Sequence, residues 1–443
     1  MGLKYIEQVK SVILLLLILL SLTLTFTIWT YSPTYDTIDT PPIVDISIAE
    51  KKRIEDLVKP YRILYSHGET LTGSETPLNI EKVFNSMKTW ELKKIEPVNN
   101  KASFLQINDY ITMSNRVTFF YPTEVPIKTF SSIFSFADHN LPDTSFNRLV
   151  VDWNGPSEDE LVFYFINTTN QKIYKSLVDK VDKEAFSERI IKQTNNFPPY
   201  NEIERPGKLS LYVSTSPEEV KGYTYLLEEI APEKFKNALF TSPSLVRSNS
   251  NGPREQQYTD DNALMTVNFL QKKLSYVHPA SESQNSSNPA ELIQHSLDFV
   301  NEHSGWTDEY RYNRINSATQ QVSYQLYLNG LPVFSNDTST EITQYWGVNR
   351  VYRYIRPYYT LTDSSPFKTR KMQLPSGQVT YDLMSTIPDL KMSSVDDMVV
   401  SYYLSQDDQQ PLLNLEPSWY YLSKGLWVRV SPEILGGGKF GLE

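Results

Sequence analysis

The chain has 443 residues, 40% of them hydrophobic and 13% aromatic, which is enough to fill the cores of two or three domains at roughly 150 residues each. Its formal net charge is −10 and it contains no basic run, which argues against a nucleic-acid-binding surface and against electrostatic docking on anionic lipid or wall polymer. The sequence has no cysteine, and this excludes disulfides, thiol nucleophiles and cysteine-ligated zinc.

The N-terminal segment predicts a membrane anchor. Ser11–Tyr31 contains no charged residue and has about the 20 residues that a helix needs to cross the hydrocarbon core. Lys4 and Lys10 precede it, whereas Trp29 and Tyr35 belong to an aromatic belt at its other end. We therefore expect a cytoplasmic stub at residues 1–10, a transmembrane helix at 11–31 and the rest of the chain outside the cell membrane. A cleaved signal peptide is the alternative, but no Ala-x-Ala-like cleavage site follows the apolar segment.

One face of the predicted anchor carries hydroxyl groups. Ser21 and Thr25 are four residues apart and share this face, as small residues do where membrane helices approach closely. Ile18, Leu22 and Trp29 flank them, so these five residues are the predicted contact with a partner helix. In the alternative, the hydroxyls bond back to carbonyls of their own helix and contact nothing else.

The next segment, residues 32–195, predicts an N-terminal extracytoplasmic domain. Apolar spacing and alternation predict, in chain order, strand Ile63–Tyr65, helix Asn79–Trp90, strands Val117–Tyr121, Leu149–Trp153 and Leu161–Ile166, and a helix near Lys183–Lys192. Asn195–Pro206 has three prolines and few aliphatic residues, and it marks the boundary.

A central α+β domain is predicted at residues 196–285. It opens with strand Leu209–Val213. Ser216-Pro217-Glu218-Glu219 then combines an N-cap, a first-turn proline and a capping-box glutamate, which predicts a helix as far as Ile230. The remaining predictions are a helix at Pro232–Phe240, a polar loop at Ser242–Gln257, and strands at Ala263–Leu270 and Lys273–Val277.

The C-terminal α+β domain is predicted at residues 286–443, after the polar linker Ser281–Asn288. A helix at Pro289–His303 begins with Asn288 as its cap, and a hairpin turns at Asn329-Gly330. Further strands are predicted at Ile342–Trp346, Val351–Arg356, Met398–Leu404 and Leu426–Val430. The predicted class is α+β, with helices covering one side of antiparallel sheets.

Motifs for chemistry are almost absent. The sequence contains no phosphate-binding Gly-x-x-x-x-Gly-Lys loop and no His-Glu-x-x-His. His295, Asp298 and Glu302 share a helical face, but a solvated charged face is expected there in any case. Ser365-Pro366-Phe367-Lys368 has the Ser-x-x-Lys spacing of penicillin-recognising enzymes, yet it reads as a loop and no Lys-Thr-Gly follows. We predict no catalytic residue, no cofactor and no metal site.

Acidic pairs and tryptophans each allow two interpretations. Glu158/Asp159/Glu160 and Asp407/Asp408 could be glycosidase acids, but adjacent carboxylates are more simply turns. Several tryptophans in strand patterns either stack on sugars or anchor cores and interfaces: Trp153, Trp306, Trp346, Trp419 and Trp427.

The anchor and its exit resemble a known family. The run Leu19-Leu20-Ser21-Leu22-Thr23-Leu24-Thr25, followed by Trp29-Thr30-Tyr31-Ser32-Pro33-Thr34-Tyr35, is similar to the N-terminus of the YycH (WalH) family. Arg62-Ile63-Leu64-Tyr65, Asn329-Gly330-Leu331-Pro332-Val333-Phe334 and the overall length agree with it.

This resemblance implies a role. It implies a three-domain extracytoplasmic protein behind one membrane helix, in which the last two domains resemble each other and the companion protein YycI. It also implies assembly with YycI and the sensor histidine kinase WalK (YycG) through membrane helices, which sets kinase autophosphorylation and the expression of wall hydrolases. The family has no catalytic residues to carry over. The alternatives are an extracytoplasmic binding module for cell-wall fragments or a protease, not linked to a kinase, and an unrecognised wall hydrolase.

Overall fold

The structure is a computed structural model that describes residues 3–30, 48–99, 101–155, 157, 160–179, 181–186, 188, 192, 196–282, 288–347, 350–361, 366–407 and 409–435. Within the first range, the described side chains are those of residues 9, 10 and 12–26. The chain divides into two units, Met1–Ile46 and Ser47–Glu443.

The first unit contains one helix, α1 (Leu3–Thr30), of 28 residues. Its sequence has neither proline nor glycine between these ends and is rich in leucine, so nothing interrupts the helical hydrogen bonds. The described aliphatic side chains are exposed, from Ile18 at 50% to Leu22 at 62%. In the described ranges, no helix has the combination of length and hydropathy needed to span a membrane. The predicted transmembrane helix therefore stays a prediction, and Tyr35 in its aromatic belt lies outside the described residues.

The first sheet of the second unit has nine strands, in the order β2-β1-β5-β7-β8-β9-β3-β6, with β4 also on β9. They are β1 (Arg62–His67), β2 (Thr70–Ser74), β3 (Glu91–Leu92), β4 (Glu96–Asn99), β5 (Arg116–Pro126), β6 (Ser135–Phe136), β7 (Ser145–Asp152), β8 (Leu161–Asn167) and β9 (Lys172–Val178). All of its pairs are antiparallel except β3 with β6. The predicted strands at 63–65, 117–121, 149–153 and 161–166 all belong to this sheet.

Helices cover both faces of the first sheet. They are α2 (Ile54–Leu57), α3 (Pro77–Met87), α4 (Phe104–Thr112), α5 (Ile127–Phe130) and α6 (Lys183–Phe186). Helix α3, predicted at Asn79–Trp90, buries Ile80, Val83, Phe84 and Met87. Phe84 packs edge-on against Phe119 at 5.8 Å between ring centroids. Phenylalanines from neighbouring strands continue this cluster, because flat rings pack well on a pleated surface.

The rest of the chain forms a second large sheet of 14 strands and two short strand pairs. The strands are β10 (Tyr200–Ile203), β11 (Leu211–Ser214), β12 (Glu218–Leu226), β13 (Glu228–Glu229), β14 (Arg247–Ser250), β15 (Glu255–Thr259), β16 (Leu264–Asn268), β17 (Lys273–Val277), β18 (Glu309–Asn316), β19 (Gln321–Leu328), β20 (Leu331–Phe334), β21 (Glu341–Trp346), β22 (Val351–Pro357), β23 (Tyr359–Thr360), β24 (Lys368–Leu374), β25 (Val395–Gln406), β26 (Leu412–Ser423) and β27 (Leu426–Arg429).

The order in the second sheet is β14-β15-β16-β17-β22-β21-β19-β20-β25-β26-β12-β24, with β18 on β19 and β27 on β26. The short pairs are β10 with β11 and β13 with β23. Pairs such as β12 with β26 join segments predicted as the central and the C-terminal domain. The predicted domain boundaries, after residues 195 and 285, stay predictions.

The helices of this half are α7 (Pro232–Leu239), α8 (Pro289–Glu302) and α9 (Gly377–Met384), with 3-10 turns at Pro243–Leu245, Pro279–Ser281 and Met392–Ser394. Helix α8 begins as predicted, because the Asn288 side chain accepts a hydrogen bond from the Ala290 amide at 2.9 Å. Its Ser296 hydroxyl lies 2.8 Å from the Tyr324 hydroxyl of β19, which ties the helix to the sheet. The α+β class is confirmed.

Two predictions in the central segment were wrong. The helix predicted from Ser216 to Ile230 is instead strand β12, held between β24 and β26. Val220 and Thr224 favour an extended chain, and Gly222 weakens a helix, so strand pairing overrides the capping signature. The loop predicted at Ser242–Gln257 contains strand β14 and the start of β15.

The second unit begins with a short segment, residues 48–52, which we call the strap. The Ile48 amide donates to the His303 carbonyl at 3.1 Å, and the Lys52 amide donates to the Asn301 side chain at 2.9 Å. Asn301 returns a hydrogen bond to the Lys52 carbonyl at 2.8 Å. The strap is therefore fixed to the end of α8 in the second half of the chain.

Candidate functional site

A groove of about 850 Å³ opens where the first sheet meets β26 and β27. Arg148 and Lys172 line it from the first sheet, Arg205 and Lys208 from the connection between β10 and β11, and Trp427 from β27. The site is therefore assembled from segments that are far apart in sequence. Its lining combines cations, carboxylates, neutral polar groups and aromatic rings.

Arg148 and Lys172 retain unused hydrogen-bond donors. Arg148 Nη1 donates to the Asn147 carbonyl at 2.8 Å and to the Tyr121 carbonyl at 3.3 Å, and its guanidinium lies 4.4 Å from the centroid of the Phe120 ring. Its Nε and Nη2 have no partner among the described residues, and neither has the Lys172 ammonium. The Phe120 ring orients the guanidinium without neutralising it.

The two other cations bind carbonyl oxygens. Arg205 Nε donates to the Leu209 carbonyl at 2.8 Å and its Nη1 donates to the Val395 carbonyl, while Lys208 Nζ donates to the Ser393 carbonyl. Burial lowers the pKa of Arg205. These contacts hold the side chains in place, and Asp396 of the same groove is close enough for both charges to act on its pKa.

Two carboxylates of the groove, Glu124 and Asp143, form hydrogen bonds with neighbouring side chains. Glu124 Oε2 accepts from the Ser145 hydroxyl at 2.6 Å, and Asp143 Oδ1 accepts from the Asn288 amide at 3.1 Å. Asp143 also pairs with Lys128 at 3.4 Å. Asp396 and Asp397 also line the groove, so its four cations are matched by four carboxylates.

The floor of the groove is a buried ionic cluster that joins the two sheets. Arg62, which is 1% exposed, pairs through Nε with Glu75 Oε1 at 2.8 Å and through Nη1 with Asp397 Oδ1 at 2.9 Å. Its Nη2 donates to the Met398 carbonyl, and the Tyr61 hydroxyl donates to Asp397. One cation thus contacts two carboxylates in a site that excludes water.

The two carboxylates respond differently to this environment. Burial raises the pKa of Glu75 to about 7, an effect that Arg62 opposes and Glu218 reinforces. Burial on its own would also raise the pKa of Asp397, but the charges of Arg62 and Arg148 and the hydrogen bond from Tyr61 together lower it. Arg62 therefore holds Asp397 ionised, whereas Glu75 takes up a proton near neutral pH.

The predicted partner face of the anchor lies on α1. The Thr25 hydroxyl donates to the Ser21 carbonyl at 2.8 Å, which is the local bond considered in the alternative interpretation. Ile18 and Leu22 are exposed on either side of these residues. The side chain of Trp29 lies outside the described residues. Contact of this face with a partner helix stays a prediction.

The other sequence candidates are placed elsewhere. In the described ranges, no three His, Cys, Asp or Glu side chains are grouped so that they could hold a metal ion. His295 instead lies 5.9 Å from the Trp346 ring, and Asp298 accepts from Gln294 at 2.9 Å. Asp407 closes a turn by accepting from the backbone amides of residues 409 and 410. Ser365, Asp408, Glu158 and Asp159 lie outside the described residues.

The tryptophans divide between core and groove. Trp306, Trp346 and Trp419 are buried, at 1%, 8% and 3% exposure. Trp153 is half-buried and stacks on Tyr65 at 5.2 Å. Trp427 alone among the five predicted as core anchors or sugar platforms lines the groove. Sequence reasoning missed Arg148, Lys172 and Arg205, because each is an ordinary cation in its own segment and no spacing connects them.

The fold is a mixed α+β protein with two large, mainly antiparallel sheets, and the described lining of its groove contains donors and rings but no histidine. Such a lining is typical of a binding site. The chain belongs to the YycH family: residues 7–196 match the family model described as YycH protein, N-terminal domain, and residues 208–435 match the one described as YycH protein, C-terminal domain. The resemblance noted in the sequence is confirmed.

Two comparisons extend over most of the chain. It is 23% identical over 447 residues to a protein of Bacillus subtilis (strain 168) named "Two-component system WalR/WalK regulatory protein YycH", covering 97% of both chains. The crystal structure of YycH from Bacillus subtilis matches with a TM-score of 0.74 and 21% identity, over 87% of this chain and 99% of the other. The described fold is therefore that of a solved YycH structure.

Proposed function

We propose that this chain is a non-enzymatic regulator of a WalK-like sensor histidine kinase that controls cell-wall metabolism. The observation that carries the proposal is the similarity, over 97% of both chains, to a relative named as a WalR/WalK regulatory protein. Both family models match as well, so the similarity is not confined to one part of the chain. A YycI-like membrane protein is the proposed companion.

The proposed anchor is α1, with residues 1–10 in the cytoplasm and residues 11–31 in the membrane. The aliphatic run from Val12 to Leu20 supports this topology. Each of these side chains is exposed, and lipid is the solvent in which a helix with exposed apolar side chains is stable. The extracytoplasmic part would follow as three domains, at 32–195, 196–285 and 286–443.

The proposed contact with the kinase uses Ile18, Ser21, Leu22, Thr25 and Trp29. A helix that packs better against one of two kinase states shifts their equilibrium, and about 1.4 kcal/mol shifts it tenfold. Bonds across membrane helices contribute roughly 0.6–2 kcal/mol each. The Thr25 hydroxyl, which uses its proton within the helix, can still accept a hydrogen bond from a partner.

Cysteine crosslinking in native membranes tests this proposal. The chain has no cysteine, so single cysteines from Leu14 to Trp29 report on a clean background. We expect crosslinks to the kinase that recur every three to four residues and include positions 21 and 25. If no position crosslinks to the kinase, the contact is refuted and an extracytoplasmic binding module becomes the better interpretation.

A further inference from the structure

Strand β24 is a free edge of the second sheet. It pairs with β12 along its whole length, Lys368–Leu374, and it is the last strand in the order of the sheet. On its other side, β24 has no backbone partner among the described residues. Every second residue of such an edge directs its N–H and C=O groups outward, where they can pair with another extended chain.

The charge on this edge is positive. Lys368, Arg370 and Lys371 lie on β24, and their side chains are exposed. Lys221 of β12 lies directly opposite Lys371 and is exposed as well. Glu219 pairs with Lys371 at 2.8 Å, whereas the other three cations form no ion pair with a described residue. A chain with a net charge of −10 thus carries an excess of positive charge along one edge of a sheet.

The arrangement of these cations is unfavourable within the protein itself. Lys221 and Lys371 repel each other, because like charges directly opposite on neighbouring strands are destabilising, and one carboxylate serves both of them. On the other face of the strand, Arg370 lies opposite Gly222, and its one described hydrogen bond goes to the Met372 sulfur at 3.6 Å. Anionic groups from outside would relieve the first contact and pair with the second cation.

Exposed apolar side chains adjoin the same edge. Phe367, the residue before β24, is 75% exposed. Leu226 of β12 is 53% exposed, and it lies two positions beyond Thr224, the residue opposite Lys368. Aromatic side chains are frequent anchors of protein interfaces, where a partner removes them from water. A strand that pairs with β24 and extends past Lys368 would cover Phe367.

We propose that the β24 edge binds an extended, acidic segment of a partner protein by strand addition. The backbone of the segment continues the sheet, and its carboxylates lie beside Arg370 and beside the Lys221–Lys371 pair. Charges of one sign also make the edge selective, because they disfavour basic and apolar strands and admit acidic ones. The proposal goes beyond kinase regulation and does not depend on it.

Two other occupants fit the edge less well. A second copy of the chain would place cations against cations if β24 paired with β24. The opposite edge of the same sheet, β14, carries Arg247 and no carboxylate, so it does not complement β24 either. An anionic lipid surface would use the cations but would leave the outward backbone groups without partners.

Peptide binding to the full-length protein in detergent tests the proposal. The probe is a fluorescent seven-residue peptide in which glutamate alternates with threonine, which matches the length of β24. A second peptide has glutamine in place of glutamate, and a third keeps the glutamates but is methylated on every backbone nitrogen. We expect the acidic peptide to bind more than tenfold tighter than the glutamine peptide, with an affinity that falls as salt rises. We expect methylation to abolish binding, because the peptide can then donate no backbone hydrogen bond.

Three variants locate the site. Arg370→Gln and Lys221→Gln each remove an exposed cation that has no ion pair among the described residues, and each is expected to weaken binding of the acidic peptide about five- to tenfold. Arg247→Gln makes the same change as Arg370→Gln at an exposed side chain on the opposite edge of the sheet, and it serves as the matched control. Its affinity for the peptide should equal that of the wild type.

Equal affinity for the acidic and the glutamine peptide would overturn the proposal, and so would equal losses in Arg370→Gln and Arg247→Gln. Undiminished binding of the methylated peptide would also overturn it, because charge attraction would then act without strand addition. If the acidic peptide does not bind, two results would assign the edge to another occupant: self-association that Arg370→Gln abolishes indicates a second copy, and binding of short-chain phosphatidylglycerol that Arg370→Gln weakens indicates lipid.

The kinase proposal and the edge proposal fail separately. No kinase is present in the peptide measurements, so a negative result there leaves the kinase proposal intact. Conversely, absent kinase crosslinks say nothing against strand addition at β24.

Discussion

At the scale of single residues, the junction of the two sheets depends on how one guanidinium is shared. Arg62 contacts both Glu75 and Asp397, but one buried cation neutralises only one carboxylate. Asp397 gains the additional hydrogen bond from Tyr61 and remains ionised, so the charged form of Glu75 is the unfavourable one. The cluster is therefore sensitive to pH through Glu75.

The first prediction concerns this pH dependence. Since burial raises the pKa of Glu75 from 4.5 to about 7, its contribution to stability is fully present below 4.5 and is lost as the pH rises through about 7. From about pH 5 to 8, the free energy of unfolding of the wild type should fall relative to that of Glu75→Gln, by about 3 kcal/mol at most. Urea unfolding at several pH values measures this difference. The exposed Glu219, paired with Lys371, supplies the control Glu219→Gln, which should leave the slope unchanged. Parallel wild-type and Glu75→Gln curves would contradict the assignment.

The second prediction concerns the buried ion pair itself. Asp397→Leu leaves Arg62 without its ionised partner in a buried site, and we expect a loss of roughly 3–5 kcal/mol in the free energy of unfolding. Chemical denaturation of the full chain measures it. A loss no larger than that of Glu219→Gln, at an exposed pair, would show that the Arg62 cluster does not hold the sheets together.

At the scale of elements, sequence patterns predicted most strands and helices but not their tertiary contacts. The hairpin at Asn329-Gly330 was predicted, and both residues have positive φ, at 49° and 83°. The close approach of this hairpin to α3 was not predicted, because Pro77 of α3 is far away in sequence. The approach is so close that a Cβ built on Gly330 would lie 1.9 Å from the Pro77 ring. Strand β12 was wrongly predicted as a helix. Its capping signature is local, whereas the two strands that pair with it, β24 and β26, come later in the chain.

The third prediction uses two similar hairpin turns. Gly330 and Gly425 both have positive φ, at 83° and 75°, but nothing lies within 4 Å of a Cβ built on Gly425. Gly425→Ala should therefore cost only the conformational strain, about 1 kcal/mol, whereas Gly330→Ala adds a clash with α3 and should cost roughly 1–3 kcal/mol more. Thermal unfolding of the two variants compares these costs. Equal destabilisation would mean that the hairpin does not press on Pro77.

At the scale of the whole molecule, one continuous core runs through both sheets. The largest buried cluster contains Phe84 and Phe119 from the first half and Tyr324 and Leu404 from the second. Contacts such as the Tyr312 hydroxyl on the Glu124 carbonyl, at 2.9 Å, add polar links between the halves. Amino-acid patterns could not reveal this continuity, because the predicted linkers suggested separate domains.

The fourth prediction follows from this continuity. Four of the seven tryptophans, Trp306, Trp346, Trp419 and Trp427, lie in the second half, so fluorescence is weighted toward it, whereas far-UV circular dichroism reports on both sheets. Because the core is shared, we expect the two signals to change at the same urea concentration. A separate earlier or later transition in circular dichroism would show that the halves unfold independently.

The groove was only partly predictable for the same reason. Trp427 was recognised from its type as a possible sugar platform, since an aromatic residue carries the same chemistry in any segment. Arg148 on β7 and Lys172 on β9 both line the groove only because the fold brings the ends of their strands to it. Whether a cation has a hydrogen-bond partner depends on which segments the fold brings beside it, and this cannot be read from a single sequence.

The strap has a mechanical consequence. Its hydrogen bonds fix residues 48–52 to Asn301 and His303, so any pull on the chain before Ile48 reaches the end of α8 before it reaches the first sheet. Helix α8 is in turn hydrogen-bonded to β19 through the hydroxyls of Ser296 and Tyr324. A force applied to the chain before the strap would therefore act on α8 and β19 of the second half first.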